Sequence, residues 1–263
     1  MLLRLKQRLK IVILILGALA PAVACPEQPS RILKLGLGNF EPYFNKAGTG
    51  GLFTDIITEV FNEIPGYALD YQANLSNLRL ISMLHSKDLD GAANVFKDQH
   101  VVACLSDPVF RFQDVAISLK RRKLQVDGVS DLEKYSIIAY QGATTFHNNE
   151  FRSVVADHLT YQETPKQNLQ ARMILSGRTD ISVGDIYIFF HEALQLGEVN
   201  TVFEVHNLFP PIYSYMAFRD KQVCMDFNEG LRKLIESGEY EQIYLRHLQE
   251  ITRVISTNEK EPK

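Results

Sequence analysis

The sequence predicts an α/β protein of two lobes, each a sheet covered by helices, joined by two extended crossing segments. The first observation is a β-α-β-α-β pattern between residues 31 and 96. The second is a similar series between residues 135 and 183. The third is an extended segment on each side of that second series, at residues 115–119 and 213–218. Alternating strands and helices are typical of α/β sheets with helices outside.

The elements of the first lobe follow from the spacing of apolar residues. Alternation over residues 31–38 predicts a strand that ends in Gly-x-Gly. A helix is predicted to start at Thr54 or Asp55, because either is a good N-cap before apolar residues at helical spacing. Residues 67–71, 78–84 and 92–96 are then predicted as strand, helix and strand.

The same spacing of apolar residues predicts the elements of the second lobe. The strands are expected at 135–140, 160–163 and 180–183, and the helices at 146–158 and 166–176. Residues 223–255 are predicted to be helical. Two crossing segments make a hinge, and ligands favour the cleft beside one. We therefore expect lobe 1 to comprise residues 25–117 plus 214–263, and lobe 2 to comprise residues 118–213.

The first 24 residues predict a signal peptide. Four basic residues and no acidic one precede residues 11–20, a run without a polar side chain, and Ala22, Val23 and Ala24 supply a small-residue cleavage site. The run is short for a membrane span, which needs about 20 residues. An amphipathic first helix is the alternative, but the run has no polar face. We expect export to the periplasm.

Three cysteines remain after cleavage, and the first of them, Cys25, would begin the mature chain. A cysteine there is the lipidation position of bacterial lipoproteins, and a lipid would tether the domain without inserting it. The preceding triplet lacks the usual leucine, so an unlipidated periplasmic protein is an equal alternative. Outside the cytoplasm Cys104 and Cys224 can pair, but we favour two buried thiols that act as small hydrophobes.

Composition and motifs exclude several classes of function. Removing the signal peptide lowers the net charge from −3 to −7, which argues against a nucleic-acid partner. The seven histidines are scattered singly without metal-ligand spacing. Gly36-Leu37-Gly38 begins a dinucleotide fingerprint whose last glycine is missing. We expect no catalytic residues, no metal and no cofactor, and we expect a monomer.

Four segments stand in an order and spacing that is specific when they occur together. They are Phe40-Glu41-Pro42-Tyr43, Gly51-Leu52-Phe53-Thr54-Asp55, Leu105-Ser106-Asp107-Pro108-Val109-Phe110, and Gly177-Arg178-Thr179-Asp180 followed by Val183-Gly184-Asp185. With them the chain resembles the family 3 extracytoplasmic solute-binding proteins, the amino-acid-type receptors of ABC transporters. The resemblance implies the type II periplasmic binding protein fold, closure around one small solute, and a membrane permease as partner.

The resemblance also implies which residues contact the solute. Asp185 stands where the family holds the ligand's ammonium group, although it is also placed as the N-cap of a predicted helix. Thr144 and Thr145 stand where the family binds an anionic group at a helix N-terminus, and a plain threonine cap is the alternative. The other predicted contacts are Phe40, Tyr43, Asn94 and Phe110, of which the aromatic residues have packing as their alternative role.

The chain departs from the family at the carboxylate clamp. Amino-acid-binding members carry an arginine seven residues before the position of Ser106, and here that residue is Gln99, with Phe96 in place of a threonine. Glutamine cannot grip a carboxylate with a bidentate ion pair. We expect a small polar, amine-bearing solute, with a peptide-like fragment or an uncharged polar solute as the alternatives. The alternatives are a sensory or signalling binding protein of the same fold, or a dehydratase-type enzyme, against which the missing arginine counts.

Overall fold

The computed structural model describes residues 31–99, 101–197 and 203–260, so the predicted signal peptide and Cys25 lie outside the described residues. The strands are β1 Arg31–Gly36, β2 Tyr67–Gln72, β3 Gly91–Val95, β4 Cys104–Leu105, β5 Phe110–Phe112, β6 Asp114–Leu119, β7 Ile137–Tyr140, β8 Tyr161–Thr164, β9 Ile181–Asp185, β10 Phe203–His206 and β11 Ile212–Phe218. The helices are α1 Leu52–Asn62, α2 Asn77–His85, α3 Ala143–Phe146, α4 Asn149–Val155, α5 Asn168–Leu175, α6 Ile186–Gln195, α7 Lys221–Glu236 and α8 Glu239–Lys260.

Each lobe contains one sheet. The first has the order β2-β1-β3-β11-β4, with β5 paired to β11, and β1 lies parallel to β2 and β3. The second has the order β10-β6-β9-β7-β8, with β7 parallel to β8 and β9. Every residue of β9 is buried, as expected for a strand covered on both faces. The two-lobed α/β fold predicted from the sequence is confirmed.

The two lobes are joined by a two-strand hinge. β5 pairs antiparallel with the first half of β11, so that Phe112 lies opposite Ile212. β6 pairs only within the second sheet, with β9 and β10. The chain therefore crosses between the sheets at Gln113 and again in residues 207–211, next to the segments from which we predicted the crossings. The exact lobe boundaries stay a prediction.

Three helices differ from the pattern in the sequence. The helix predicted over residues 146–158 is interrupted, because His147 is extended and Asn148 caps α4, which spans only Asn149–Val155. α1 begins at Leu52 because Gly51, at φ 111°, turns the chain directly into it. The predicted C-terminal helix is two helices, because Gly238 adopts φ 81° between α7 and α8. Within the described residues, none of the helices combines the length and the apolar character that a membrane span requires.

One hydrophobic core runs through the hinge into both lobes. It includes Leu33 and Phe53 of the first lobe and Ile188 and Phe190 of the second, all buried. α8 packs against α1 and also against α6, and so contacts both lobes. The hydroxyl of Tyr244 on α8 accepts a hydrogen bond of 3.1 Å from the backbone N–H of Arg111, which fixes this helix to the hinge strand β5.

Cys104 and Cys224 form a disulfide, with their Cα atoms 6.1 Å apart. Our expectation of two unpaired thiols is therefore wrong. The short edge strand β4 carries Cys104 to the place where the first turn of α7 packs against the sheet. That juxtaposition is a product of the topology, and the sequence separation of 120 residues gives no indication of it.

Candidate ligand-binding cleft

A cavity of about 200 Å³ lies between the two lobes. The first lobe contributes β3 and the loops before α1 and α2, and the second contributes the start of β6, the end of β7 and the start of α6. This volume is below the roughly 300–1,000 Å³ of pockets for drug-sized ligands, so the cavity has room only for a small molecule.

Two buried carboxylates stand side by side in the cavity wall. Asp114 begins β6 and lies directly opposite Asp185, the last residue of β9, in the antiparallel pairing of these strands. The exposed fractions are 3% for Asp114 and 4% for Asp185. Burial and the neighbouring negative charge of Asp114 raise the pKa of Asp185 to about 7. Such a pair attracts a cation strongly.

The protein itself uses the oxygens of Asp185. This residue is the N-cap of α6 and accepts hydrogen bonds from the N–H groups of Tyr187 and Ile188. It also accepts a bond of 2.9 Å from the N–H of Gln113, in the hinge. The hydroxyl of Tyr43 lies 3.0 Å from both carboxylate oxygens and joins the first lobe to the second. The predicted capping role is present, and the predicted ligand role stays a prediction.

Asp114 has a freer oxygen than Asp185. Its Oδ2 atom is buried and makes no hydrogen bond with a described residue. This atom lies 3.2 Å from Nε2 of the buried His147, an ion-pair distance, but the angles are not those of a hydrogen bond. Sequence reasoning missed Asp114, and the only indication in the sequence was an acidic residue at the start of an apolar strand.

Four predicted contacts separate into two that line the cavity and two that lie behind it. Phe40 and Asn94 line the cavity. Tyr43 is fully buried and stacks on Phe53 at a centroid distance of 4.2 Å. Phe110 stacks on the other side of Phe53, also at 4.2 Å, in the core. Tyr43 therefore reaches the site only through Asp185.

The predicted anion site at the start of α3 is occupied by the protein's own carboxylate. Glu163 on β8 accepts hydrogen bonds from the N–H groups of Gly142 and Thr144 and from the hydroxyl of Thr144. Burial acts to raise the pKa of Glu163, but these bonds and one from Tyr161 outweigh it and the pKa is lowered. The side chain of Thr145 is exposed, and neither threonine is among the residues that line the cavity.

Gln99, which stands at the position of the missing arginine, folds back onto its own turn. Its side-chain oxygen accepts a hydrogen bond of 3.0 Å from the N–H of Phe96, so it closes its own 3₁₀ turn. The Phe96 ring extends across the cleft and meets the ring of Phe146 from the second lobe at a centroid distance of 4.4 Å. An aromatic contact thus stands between the lobes near the place expected for a carboxylate clamp.

The chemistry of the walls is acidic, aromatic and amide-rich. Among the described residues that line the cavity, none is Lys, Arg or His. The part of the chain that the structure describes contains no cluster of metal-ligating side chains. The aromatic residues of the walls are Phe40, Phe96, Phe112, Tyr140 and Phe146.

The solved structures that resemble this chain include binding proteins and a sensor domain. An ancestral arginine-binding protein bound to arginine matches with 18% identity and a TM-score of 0.67, over 82% of this chain and 97% of that one. A probable amino-acid ABC transporter extracellular-binding protein from Bacillus subtilis matches with 17% identity and a TM-score of 0.66, over 83% and 99%. A histidine kinase sensor domain with similarity to periplasmic binding proteins matches with 16% identity and a TM-score of 0.68, over 83% and 96%.

These similarities confirm the type II periplasmic binding protein fold that the sequence predicted. At identities below 20% they are similarities of fold. No family model and no curated protein matches the chain.

Proposed function

We propose that this protein is an extracytoplasmic solute-binding protein, which captures a small polar, amine-bearing solute between its lobes for an ABC transporter. The observation that carries the proposal is the small interlobe cavity with two buried carboxylates and, among its described lining residues, no basic side chain. A buried carboxylate forms charge-assisted hydrogen bonds with a cationic nitrogen. The protein binds its solute without chemical change and is not an enzyme.

The proposed mechanism is closure of the lobes about the hinge formed by β5 and β11. The lobes are near those expected from the sequence, residues 25–117 plus 214–263 and residues 118–213, with the crossings set at Gln113 and in residues 207–211, so that β6 moves with the second lobe and β11 with the first. Contacts between the lobes, Tyr43 with Asp185 and Phe96 with Phe146, would hold the closed form around the solute. The protein works in the periplasm as a monomer, free or anchored through Cys25, and the closed form docks on a membrane permease.

A sensory role is the second candidate, because a histidine kinase sensor domain has the same fold. The same closure would then be passed to a signalling partner. Solute capture is common to both roles, and it is what the first experiment must test.

The experiment is a thermal-shift screen of the purified mature protein, after unfolding and refolding in urea to remove co-purified solute. The library contains amines, amino acids and neutral polar solutes. A true ligand at a hundredfold excess over its Kd stabilises the protein by about 2.7 kcal/mol. We expect at least one solute to do so, and small-angle scattering to show compaction with it. A library without one stabilising compound would contradict the proposal.

A further inference from the structure

Two buried oxygen atoms in the cavity walls have no hydrogen-bond donor among the described residues. They are Oδ2 of Asp114 and Oδ1 of Asn94, and both side chains are 3% exposed. The amide of Asn94 is held in place because its nitrogen donates a bond of 3.2 Å to Oδ1 of Asn77, another lining residue. Burying an acceptor without a donor is costly, so these atoms indicate a ligand with hydrogen-bond donor groups.

The two carboxylates of the cavity differ in what they can offer a ligand. The four protein donors on Asp185 come from both lobes and hold its two oxygens in place. Oδ2 of Asp114 has Nε2 of His147 at 3.2 Å without hydrogen-bond geometry. Tyr140 is a second polar neighbour of this carboxylate: burial and the carboxylate together raise the pKa of the tyrosine, and both side chains line the cavity. A ligand cation would therefore gain its new charge-assisted bond from Asp114.

An anionic group on the ligand would have no oppositely charged partner among the described residues that line the cavity. None of the described lining residues is basic. The N–H groups at the start of α3 already bind Glu163, and Gln99 is not among the residues that line the cavity. A ligand carboxylate would be desolvated beside Asp114 and Asp185, which repel it.

The aromatic walls suit the apolar body of such a cation. Phe96 and Phe146 close the cleft from opposite lobes, and Phe112 lies 6.2 Å from Phe96 in a stacked orientation. Ring faces attract cations and cover methylene groups. The walls therefore favour a compact ligand with one charged end over a uniformly polar one.

We propose that the ligand is a small primary amine cation without a carboxylate, and that Asp114 anchors its ammonium group while Asn94 accepts a second N–H. This inference rests on the proposed solute-binding function and makes its ligand class specific. It assigns to Asp114 the part that the sequence had suggested for Asp185.

The first test is calorimetric titration at pH 8 with three matched pairs. The amines, each with one charged end, are isobutylamine, isoamylamine and 2-phenylethylamine, and their controls are valine, leucine and phenylalanine, which add a carboxylate to the same skeleton. We expect micromolar binding of at least one amine and at least tenfold weaker binding of its parent amino acid. Tighter binding of the amino acid in each pair, or no binding of any amine, would overturn the inference.

The second test replaces Asp114, the residue proposed to bind the ammonium group. In Asp114→Asn the affinity for the best amine should fall roughly 10- to 150-fold, the usual range for one charge-assisted hydrogen bond. Asp157→Asn, an exposed carboxylate of the second lobe outside the cavity, is the matched control and should bind normally. If Asp114 only holds His147, the variant will lose stability while the ratio of amine to amino-acid affinity stays unchanged, and the inference fails.

A ligand-side test covers the case in which Asp114→Asn does not fold. The trimethylammonium analogue of the best amine keeps the charge but has no N–H donor, and it should bind at least tenfold more weakly to the wild-type protein. Equal affinity would overturn the anchoring by Asp114 and Asn94. Tight binding of an amino acid or a neutral solute would overturn this inference alone, whereas a solute library without any ligand would overturn the proposed function as well.

Discussion

The hydroxyl of Tyr43 is the polar contact that joins the first lobe to Asp185, so Tyr43→Phe should destabilise the protein in a pH-dependent way. Tyr43 is fully buried, and the substitution removes one oxygen atom while it keeps the ring stacked on Phe53. At pH 8 Asp185, with a pKa of about 7, is mostly ionised, and the lost bond is one to a charged acceptor. At pH 5 Asp185 is protonated and the bond is neutral.

The expected loss follows from these two states. A hydrogen bond to a charged group contributes about 1.5–3 kcal/mol and a neutral one about 0.5–1.5 kcal/mol. Urea denaturation should therefore show a loss of about 2 kcal/mol at pH 8 and about 1 kcal/mol at pH 5. Tyr213→Phe, which alters a half-exposed hinge tyrosine, is the control and should stay within about 0.5 kcal/mol at both pH values. A loss that is equal at both pH values, or absent, would refute the role of the Tyr43–Asp185 bond.

Three further predictions concern stability. The folded-state pKa of Asp185, about 7, is above its ordinary value of 3.8, so this group stabilises the fold at low pH and that contribution is lost as pH rises from about 4 to 7. In urea titrations the free energy of unfolding of Asp185→Asn should therefore rise relative to that of the wild type between pH 5 and pH 8. A difference between the two free energies that does not change with pH would contradict the assignment. Reducing the Cys104–Cys224 disulfide should lower the free energy of unfolding by about 2–5 kcal/mol, whereas identical melting curves with and without reductant would show that the bridge does not form. Gly51→Ala should lower the free energy of unfolding by about 1–3 kcal/mol, because φ is 111° and the new Cβ atom would lie 2.6 Å from the Tyr43 carbonyl oxygen. An unchanged midpoint of urea unfolding would contradict this and mean that the loop adapts.

The sequence predicted the elements well because their signals are local. Apolar alternation in β1 and helical spacing in α1 are properties of a few neighbouring residues, and both elements are present. The doubled series likewise predicted two lobes. The helix boundaries differ from the prediction where one glycine with a positive φ interrupts the helix, as Gly238 does between α7 and α8.

The site was harder to predict because its geometry depends on pairing between distant segments. Asp114 faces Asp185 through the antiparallel register of β6 and β9, which no local pattern reveals. Glu163 occupies the start of α3 for the same reason, since β8 is placed there by its pairing with β7. Three predicted residues line the cavity. Asp185 and Phe40 were placed at the cleft by the family resemblance, and Asn94 by its position at the end of a predicted strand.

The most direct test of solute capture between the lobes is hydrogen–deuterium exchange with and without a solute that stabilises the protein. We predict protection on both sides of the cleft, at residues 94–96 of the first lobe and at residues 114–116 and 186–188 of the second. Residues 221–236 of α7, outside the cavity, should serve as the internal reference. Protection confined to one lobe, or located away from these segments, would contradict binding in the interlobe cleft.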